Sequence, residues 1–106
     1  MSELEELFEQ LEKTLHGRLH AKNGGALHDI KNFHSYDDFV WLLEESDSDC
    51  SWCIQEMDNV EDCDQNDIMK YQSKAENLKN KFQAEVRDYL DTLDFNDLEA
   101  QYIALK

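Results

Sequence analysis

Three cysteines and ten carboxylates share residues 44–67, EESDSDCSWCIQEMDNVEDCDQND, and no Lys or Arg lies among them. Cys50 and Cys53 form a CxxC pair, a spacing typical of zinc sites and of redox-active dithiols. A redox pair needs a readily formed thiolate, and the neighbouring carboxylates disfavour this anion. We therefore do not expect thiol redox chemistry from this pair.

A zinc site is a second interpretation of the same cysteines. His16 and His20, one helical turn apart, would complete a Cys2His2 set with Cys50 and Cys53. The two pairs lie roughly 30 residues apart in the chain, and helical counting directs the histidines away from the apolar stripe of their own helix. Buried cysteines and exposed histidines explain the same residues, so zinc stays an alternative and no cofactor is expected.

Calcium binding and catalysis are disfavoured by the sequence. The stretch that begins at Asp62 starts like an EF-hand loop, but it has Asp67 where the turn requires Gly and Ser73 where a bidentate Glu belongs. The stretch from Asp47 fails at the same two positions. The sequence also has no phosphate-binding glycine loop, no nucleophile elbow and no HExxH motif, so we expect no enzymatic activity.

The net charge is the outstanding property of the chain. Ten Lys and Arg oppose 25 Asp and Glu, which gives −15 and a pI of about 4.4. The 38 residues between Lys31 and Lys70, here called the acidic block (32–69), lack any Lys or Arg and contribute −12. Its carboxylates are Asp37, Asp38, Glu44, Glu45, Asp47, Asp49, Glu56, Asp58, Glu61, Asp62, Asp64 and Asp67.

The elements that position these residues are predicted to be helices. Proline is absent and glycine occurs only three times, so we expect an all-α protein, a compact bundle of four to five helices. Ser2 and Glu5 form a capping box before an apolar stripe that runs to Leu19, and Asn23-Gly24 ends this first helix. Residues 26–34 are left open between a short helix and an extended segment.

The middle third gives a weaker signal than the rest. Ser35 caps a second helix whose inner face is predicted to include Tyr36, whereas 46–65 is read as a short helix, an irregular loop or a short β segment. The longest helix is expected at about 66–93, where apolar residues keep helical spacing from Ile68 to Leu93. Asn96 is predicted to cap a last short helix.

The chain is expected to form one helical domain, residues 1–106. Its first residues are acidic where a secretory signal would be basic and then apolar, and no apolar run is long enough to span a bilayer. An odd number of cysteines argues against a disulfide framework. These features predict a cytoplasmic protein without membrane contact.

The acidic block predicts a protein partner that is basic. Repulsion excludes direct binding to nucleic acid, but carboxylates can pair with the Lys and Arg that normally hold phosphates. Ion pairs at a surface contribute little individually, so Trp41 and Trp52 are predicted as apolar anchors among the twelve carboxylates. In size and charge the chain resembles small acidic inhibitors that mimic nucleic acid, including anti-restriction and anti-CRISPR proteins of phages, and the immunity proteins of nuclease toxins.

This resemblance implies a stoichiometric inhibitor that blocks a basic site on a larger nucleic-acid-processing protein. Two alternatives remain open: a helical interaction or oligomerisation module that uses the stripe from Ile68 to Leu93, and the zinc-stabilised domain. A monomer and a homodimer are both compatible with the sequence. We also expect that reversing Asp47, Asp49, Glu61, Asp62 and Asp64 to Lys leaves the fold intact and abolishes partner binding.

Overall fold

The computed structural model describes residues 2–105, which form four helices: α1 (Glu3–His20), α2 (Tyr36–Asp58), α3 (Gln65–Thr92) and α4 (Phe95–Leu105). Within this range no residue belongs to a β-strand. The predicted all-α bundle of four to five helices is therefore confirmed, with four. Positions 1 and 106, the limits of the predicted domain, lie outside the described residues.

The first three helices form the body of the molecule. Cys53 of α2 contacts Leu7 of α1, and Asp49 contacts Arg18, so α1 and α2 run antiparallel. Cys50 of α2 contacts Ala75 of α3, and Ser46 of α2 contacts Gln83 of α3, so these two helices are antiparallel as well. The molecule measures 55 × 22 × 16 Å, because α3 alone, with 28 residues, is about 42 Å long.

The core is built from the predicted apolar stripes. On α1 the buried residues are Leu4, Leu11, Leu15 and Leu19, and on α3 they include Ile68, Ala75, Phe82 and Val86. The Ser2 hydroxyl accepts from the Glu5 amide at 3.2 Å, which is one half of the predicted capping box, whereas the Glu5 carboxylate accepts from the Tyr71 hydroxyl. The stripe of α3 is covered by α1 and α2 of the same chain.

Residues 46–58, predicted as a short helix, loop or β segment, are the second half of one continuous helix. The buried face of α2 carries Ser46, Cys50, Cys53 and Met57 in this half. These side chains are small, polar or sulfur-containing, which weakens the apolar pattern without weakening the packing. Tyr36, predicted to lie in the core, is 58% exposed, because Phe39 and Leu42 occupy the inner face instead.

The loop between α1 and α2 closes the end of α1 without regular structure. Gly24 has φ +86, and Gly25 lies so close to α1 that a Cβ there would meet the backbone of Ala21. This approach lets the amides of Ala26 and Leu27 donate to the Arg18 and Leu19 carbonyls, at 2.7 and 3.0 Å. Residues 26–34 are thus a series of turns that satisfy the last carbonyls of α1.

Helix α4 is attached to the bundle mainly by aromatic contacts. It buries no side chain, and its ring contacts are Phe95 against Phe39 and Tyr36, and Tyr102 stacked on His34 at 3.9 Å between ring centroids. The predicted cap at Asn96 is wrong: the Asp94 carboxylate accepts from the Asn96 and Asp97 amides. Helix α4 therefore starts two residues earlier than the sequence suggested.

Candidate protein-binding surface

Helix α2 concentrates negative charge because its 23 residues include eight carboxylates and no Lys, Arg or His. These carboxylates do not form a single patch. Asp37 and Asp58 lie near opposite ends of the helix, about 32 Å apart along its axis. The carboxylates of α2 are therefore spread along the helix and have different neighbours.

Three carboxylates of the block are neutralised by bases of other helices. Arg18 of α1 donates from Nε to Asp49 at 2.7 Å and lies 3.8 Å from Glu45. Lys79 of α3 lies 3.3 Å from Asp47. The sequence shows that the block itself contains no base, but it does not reveal that α1 and α3 bring Arg18 and Lys79 to these three carboxylates.

Asp38 has a structural role of its own. Its carboxylate accepts from the backbone amides of His34 and Ser35, at 3.2 and 3.1 Å, and from the Ser35 hydroxyl at 2.8 Å. These bonds hold the start of α2, where a negative charge also interacts favourably with the helix dipole. Asp37 and Glu44, by contrast, are exposed and have no basic partner among residues 2–105.

The densest unpaired charge lies at the end of the bundle where α1 begins, α2 ends and α3 begins. Nine carboxylates meet there, eight of them exposed, and in the described part of the chain none forms a salt bridge. We call this surface the acidic pole: Glu3, Glu5, Glu6, Glu56, Asp58, Glu61, Asp62, Asp64 and Asp67. Six of these residues come from the block, and the fold adds the three of α1.

Part of this arrangement opposes local helix stability. Carboxylates at the starts of α1 and α3 interact favourably with the helix dipoles, but Glu56 and Asp58 lie in the last turn of α2, which contains no base. Asp62 has φ +63, a left-handed conformation that Asp adopts more readily than most residues but that only glycine adopts without cost. Acidic residues thus occupy positions where a base or a glycine would stabilise the fold.

Two half-exposed tryptophans lie on the side of α2 that faces α1, Trp52 toward the acidic pole and Trp41 about 16 Å further from it along the helix. Trp41 is 48% exposed and Trp52 is 49% exposed, so both are displayed at the surface as anchors would be. The Arg18 guanidinium lies 5.9 Å from the Trp41 ring centroid. Near Trp52, Gln10, Thr14 and Asp49 help to line a cavity of about 210 Å³.

The structure separates the residues of the zinc alternative. Cys50 and Cys53 are buried, and their thiols donate to the carbonyls of Ala75 and Leu7 at 3.6 and 3.5 Å. The rings of His16 and His20 lie 4.7 Å apart between centroids, tilted by 34°, on the other side of α1, where they line a cavity with residues of α3. From residue 2 to residue 105, no group of three or more His, Cys, Asp or Glu side chains is arranged to hold a metal ion.

Burial also controls the chemistry of the two core thiols. It raises the pKa of Cys53 to about 11, with the nearby Cys50 as a second cause. The pKa of Cys50 is raised as well, chiefly by burial, while Lys79 lowers it and the carboxylates of Glu76 and Asp47 raise it. Both thiols are therefore protonated at neutral pH, which is unsuited to a reactive dithiol.

Sequence reasoning missed the contribution of α1 to this surface. Glu3, Glu6 and Gln10 line a cavity together with Glu56 of α2, although they are some 50 residues away in the chain. Their spacing of three and four residues indicates a shared helical face, and this was the available signal. It did not indicate that this face would meet the end of α2.

Comparisons with known proteins add no relative. No protein-family model, no curated protein and no solved structure matches the chain. Within the described residues, no helix has the length and apolar character that are required to cross a membrane.

Proposed function

We propose that this protein is a small inhibitory binding protein whose acidic pole occupies the basic nucleic-acid-binding site of a larger nucleic-acid-processing protein. In kind, this is the activity of anti-CRISPR, anti-restriction and nuclease-immunity proteins, acting in the cytoplasm. The observation that carries the proposal is the group of nine carboxylates without a salt bridge in residues 2–105, formed from three helices.

The physical basis is imitation of the phosphate backbone. Duplex DNA carries one negative charge per about 1.7 Å of its axis, and proteins bind it largely through Lys and Arg. A folded protein that holds many carboxylates close together offers the same cations an alternative partner. Because these carboxylates repel one another in the free protein, pairing with a cationic cleft also relieves a cost within the fold.

The mechanism is competitive and requires no chemical step. Long-range attraction accelerates association with a basic target and makes binding sensitive to salt. Exposed ion pairs contribute about 0–1 kcal/mol each, so lasting binding also needs apolar contacts. Trp41 and Trp52, half exposed beside the acidic carboxylates of α2, are suited to supply such contacts.

The proposal can be tested with two variants of equal net charge. The pole variant carries Glu56→Gln, Glu61→Gln, Asp62→Asn and Asp67→Asn. The matched control neutralises four exposed acids elsewhere, with Glu76→Gln, Asp88→Asn, Asp91→Asn and Glu99→Gln. Each protein is immobilised and exposed to a cell extract at about 50 and 300 mM salt, and the captured proteins are identified and assayed for nucleic-acid binding.

We expect the unmodified protein and the control to capture a basic nucleic-acid-binding protein at low salt. The pole variant should capture at least tenfold less of it. Duplex DNA or RNA should displace the captured protein, because both compete for the same cations. Equal capture by the pole variant and the control would contradict the proposal. So would a complex that still binds nucleic acid with undiminished affinity.

A helical interaction module remains a second candidate because α4 displays apolar side chains. Ile103 is 68% exposed and Leu105 is 55% exposed. The stripe from Ile68 to Leu93, first considered for this role, is instead covered by α1 and α2. Light scattering after gel filtration at two protein concentrations distinguishes the candidates, since self-association through α4 predicts a mass that rises with concentration and falls with Ile103→Ser.

A further inference from the structure

The two exposed tryptophans of α2 have similar surroundings. Both lie on the side of the helix that faces α1, and each has carboxylates one helical turn away. Glu45 follows Trp41 by four residues, while Asp49 precedes Trp52 by three and Glu56 follows it by four. Each indole is thus an aromatic face beside acidic groups.

At Trp41 the protein supplies its own cation. The Arg18 guanidinium lies 5.9 Å from the ring centroid, within the usual range of a cation–π contact. The same group donates to Asp49 at 2.7 and 3.3 Å and lies 3.8 Å from Glu45. An arginine is therefore held between an indole ring and two carboxylates, in a geometry that suits its planar fork.

At Trp52 this position has no cation. The α1 residues that line its cavity are Gln10, Leu11 and Thr14, none of which is charged. Across the described residues, the Trp52 ring has neither a cation nor another aromatic ring against it. The cavity of about 210 Å³ next to the ring contains one carboxylate, Asp49, which is already paired with Arg18. Glu56, one helical turn from Trp52, forms no salt bridge within the described residues.

We infer that the groove at Trp52, lined by Gln10 and bordered by the unpaired Glu56 one helical turn along α2, binds an arginine side chain of a basic partner protein. Charge complementarity selects a cation, and the indole selects a planar guanidinium over the compact ammonium of lysine. The inference deepens the proposed function and relies on it for a basic partner. What it adds is a preference for arginine over lysine at Trp52.

The test uses the Trp41→Phe protein, so that Trp52 is the only tryptophan and its fluorescence reports directly on the groove. The probes are two synthetic peptides of equal length and charge, one built from Arg and Gly and the other from Lys and Gly. We expect the arginine peptide to bind about two- to fivefold more tightly and to change the Trp52 emission. For variants that lack Trp52, calorimetry measures the affinities of the same two peptides.

Two variants test whether the preference for the arginine peptide arises at Trp52. Trp52→Ala should abolish the preference for the arginine peptide. Gln10→Arg should also abolish it, because an internal guanidinium then occupies the groove as Arg18 does at Trp41. Asn77→Arg, an exposed position of α3, adds the same charge elsewhere and should leave the ratio of the two affinities unchanged.

The outcomes separate this inference from the proposed function. The pole variant should weaken both peptides while preserving the ratio between them. Equal affinity of the parent protein for the two peptides, or a preference that survives in Trp52→Ala, would overturn the inference and leave the proposed function standing. Absence of binding to either peptide at low salt would overturn both. A dimer that dissociates on Trp52→Ala would show instead that a second copy fills the groove.

Discussion

The Gln83 side-chain amide lies 3.0 Å from the Ser46 hydroxyl inside the interface between α2 and α3. The amide also donates to the Leu43 carbonyl at 3.2 Å and to the Asp47 carboxylate at 2.9 Å. The Ser46 hydroxyl in turn donates to the Leu43 carbonyl at 2.6 Å. Both side chains are buried, so this polar contact fixes the register between two helices whose other inner residues are apolar.

Removal of the Gln83 amide should destabilise the protein. We expect Gln83→Ala to lower the free energy of unfolding by about 2 kcal/mol, since it removes buried hydrogen bonds and leaves a cavity. Ser46→Ala should cost about 1 kcal/mol. Urea unfolding of both variants and of the double variant gives their coupling energy, which we expect to be about 1 kcal/mol. A coupling of zero would mean that the bond does not stabilise the fold.

The core thiols should resist modification in the folded protein. Cys50 and Cys53 are buried, whereas Cys63 is partly exposed in the loop between α2 and α3. We expect a thiol reagent at pH 8 to modify one cysteine per molecule rapidly and all three after unfolding in urea. Fast reaction of two or three cysteines in the native protein would contradict the packing of α2 described here.

The raised thiol pKa values also predict a loss of stability in alkali. Below pH 9 the thiols are protonated in both the folded and the unfolded states, so they contribute no pH dependence. Above pH 9 the unfolded state releases these protons, while the folded state holds that of Cys53 until its pKa of about 11. Stability should therefore fall between pH 9 and pH 11, and Cys53→Ala should show a smaller fall in thermal unfolding experiments.

Asp62 should be replaceable by glycine with a gain in stability. Its φ of +63 lies in the left-handed region, which strains the backbone of a residue with a Cβ and does not strain glycine. We expect Asp62→Gly to raise the free energy of unfolding by about 0.5–1 kcal/mol. Asp62→Ala removes the same charge and keeps the Cβ but lacks the polar side chain with which Asp tolerates this conformation, so it should lower stability by about 1 kcal/mol. If both variants gain equally, charge repulsion rather than backbone strain is responsible.

Arg18 should contribute to stability through its geometry as well as its charge. Lysine cannot make the paired contacts to Asp49 or stack in the same way on Trp41, so we expect Arg18→Lys to cost about 1 kcal/mol. Lys13→Met, at an exposed position on the same helix, is the control and should change stability by less than about 0.5 kcal/mol. Urea unfolding followed by tryptophan emission measures both.

The two most regular helices were predictable from the sequence to within about three residues, since α1 ends at His20 and its predicted stop was Asn23-Gly24. In α1 and α3 the inner positions are mostly large apolar residues at steps of three and four, and Ser2 marks the start of α1. The second half of α2 was not recognised, because its inner positions are Ser46, Cys50, Cys53 and Met57. Residues of these types fill a core well but do not produce a clear periodic pattern.

The charge of the site was predictable, but its neutralisation was not. The positions of Lys and Arg along the sequence located the acidic block, whereas the pairing of Asp49 with Arg18 and of Asp47 with Lys79 joins residues about 30 positions apart. Charge reversal to Lys at these two positions would oppose like charges and should destabilise the fold, contrary to the expectation from sequence. Reversal at Glu61, Asp62 and Asp64, which have no base within the described residues, retains the original expectation.

The absence of basic residues along α2 has a practical consequence for mapping this protein. Trypsin cuts only after Lys and Arg, so it cannot cleave this helix even when the chain is unfolded. A complete digest releases residues 32–70 as a single 39-residue peptide that contains both tryptophans and all three cysteines. Mass spectrometry of that one fragment can therefore record every thiol label and every indole oxidation, and can compare them with and without a bound partner.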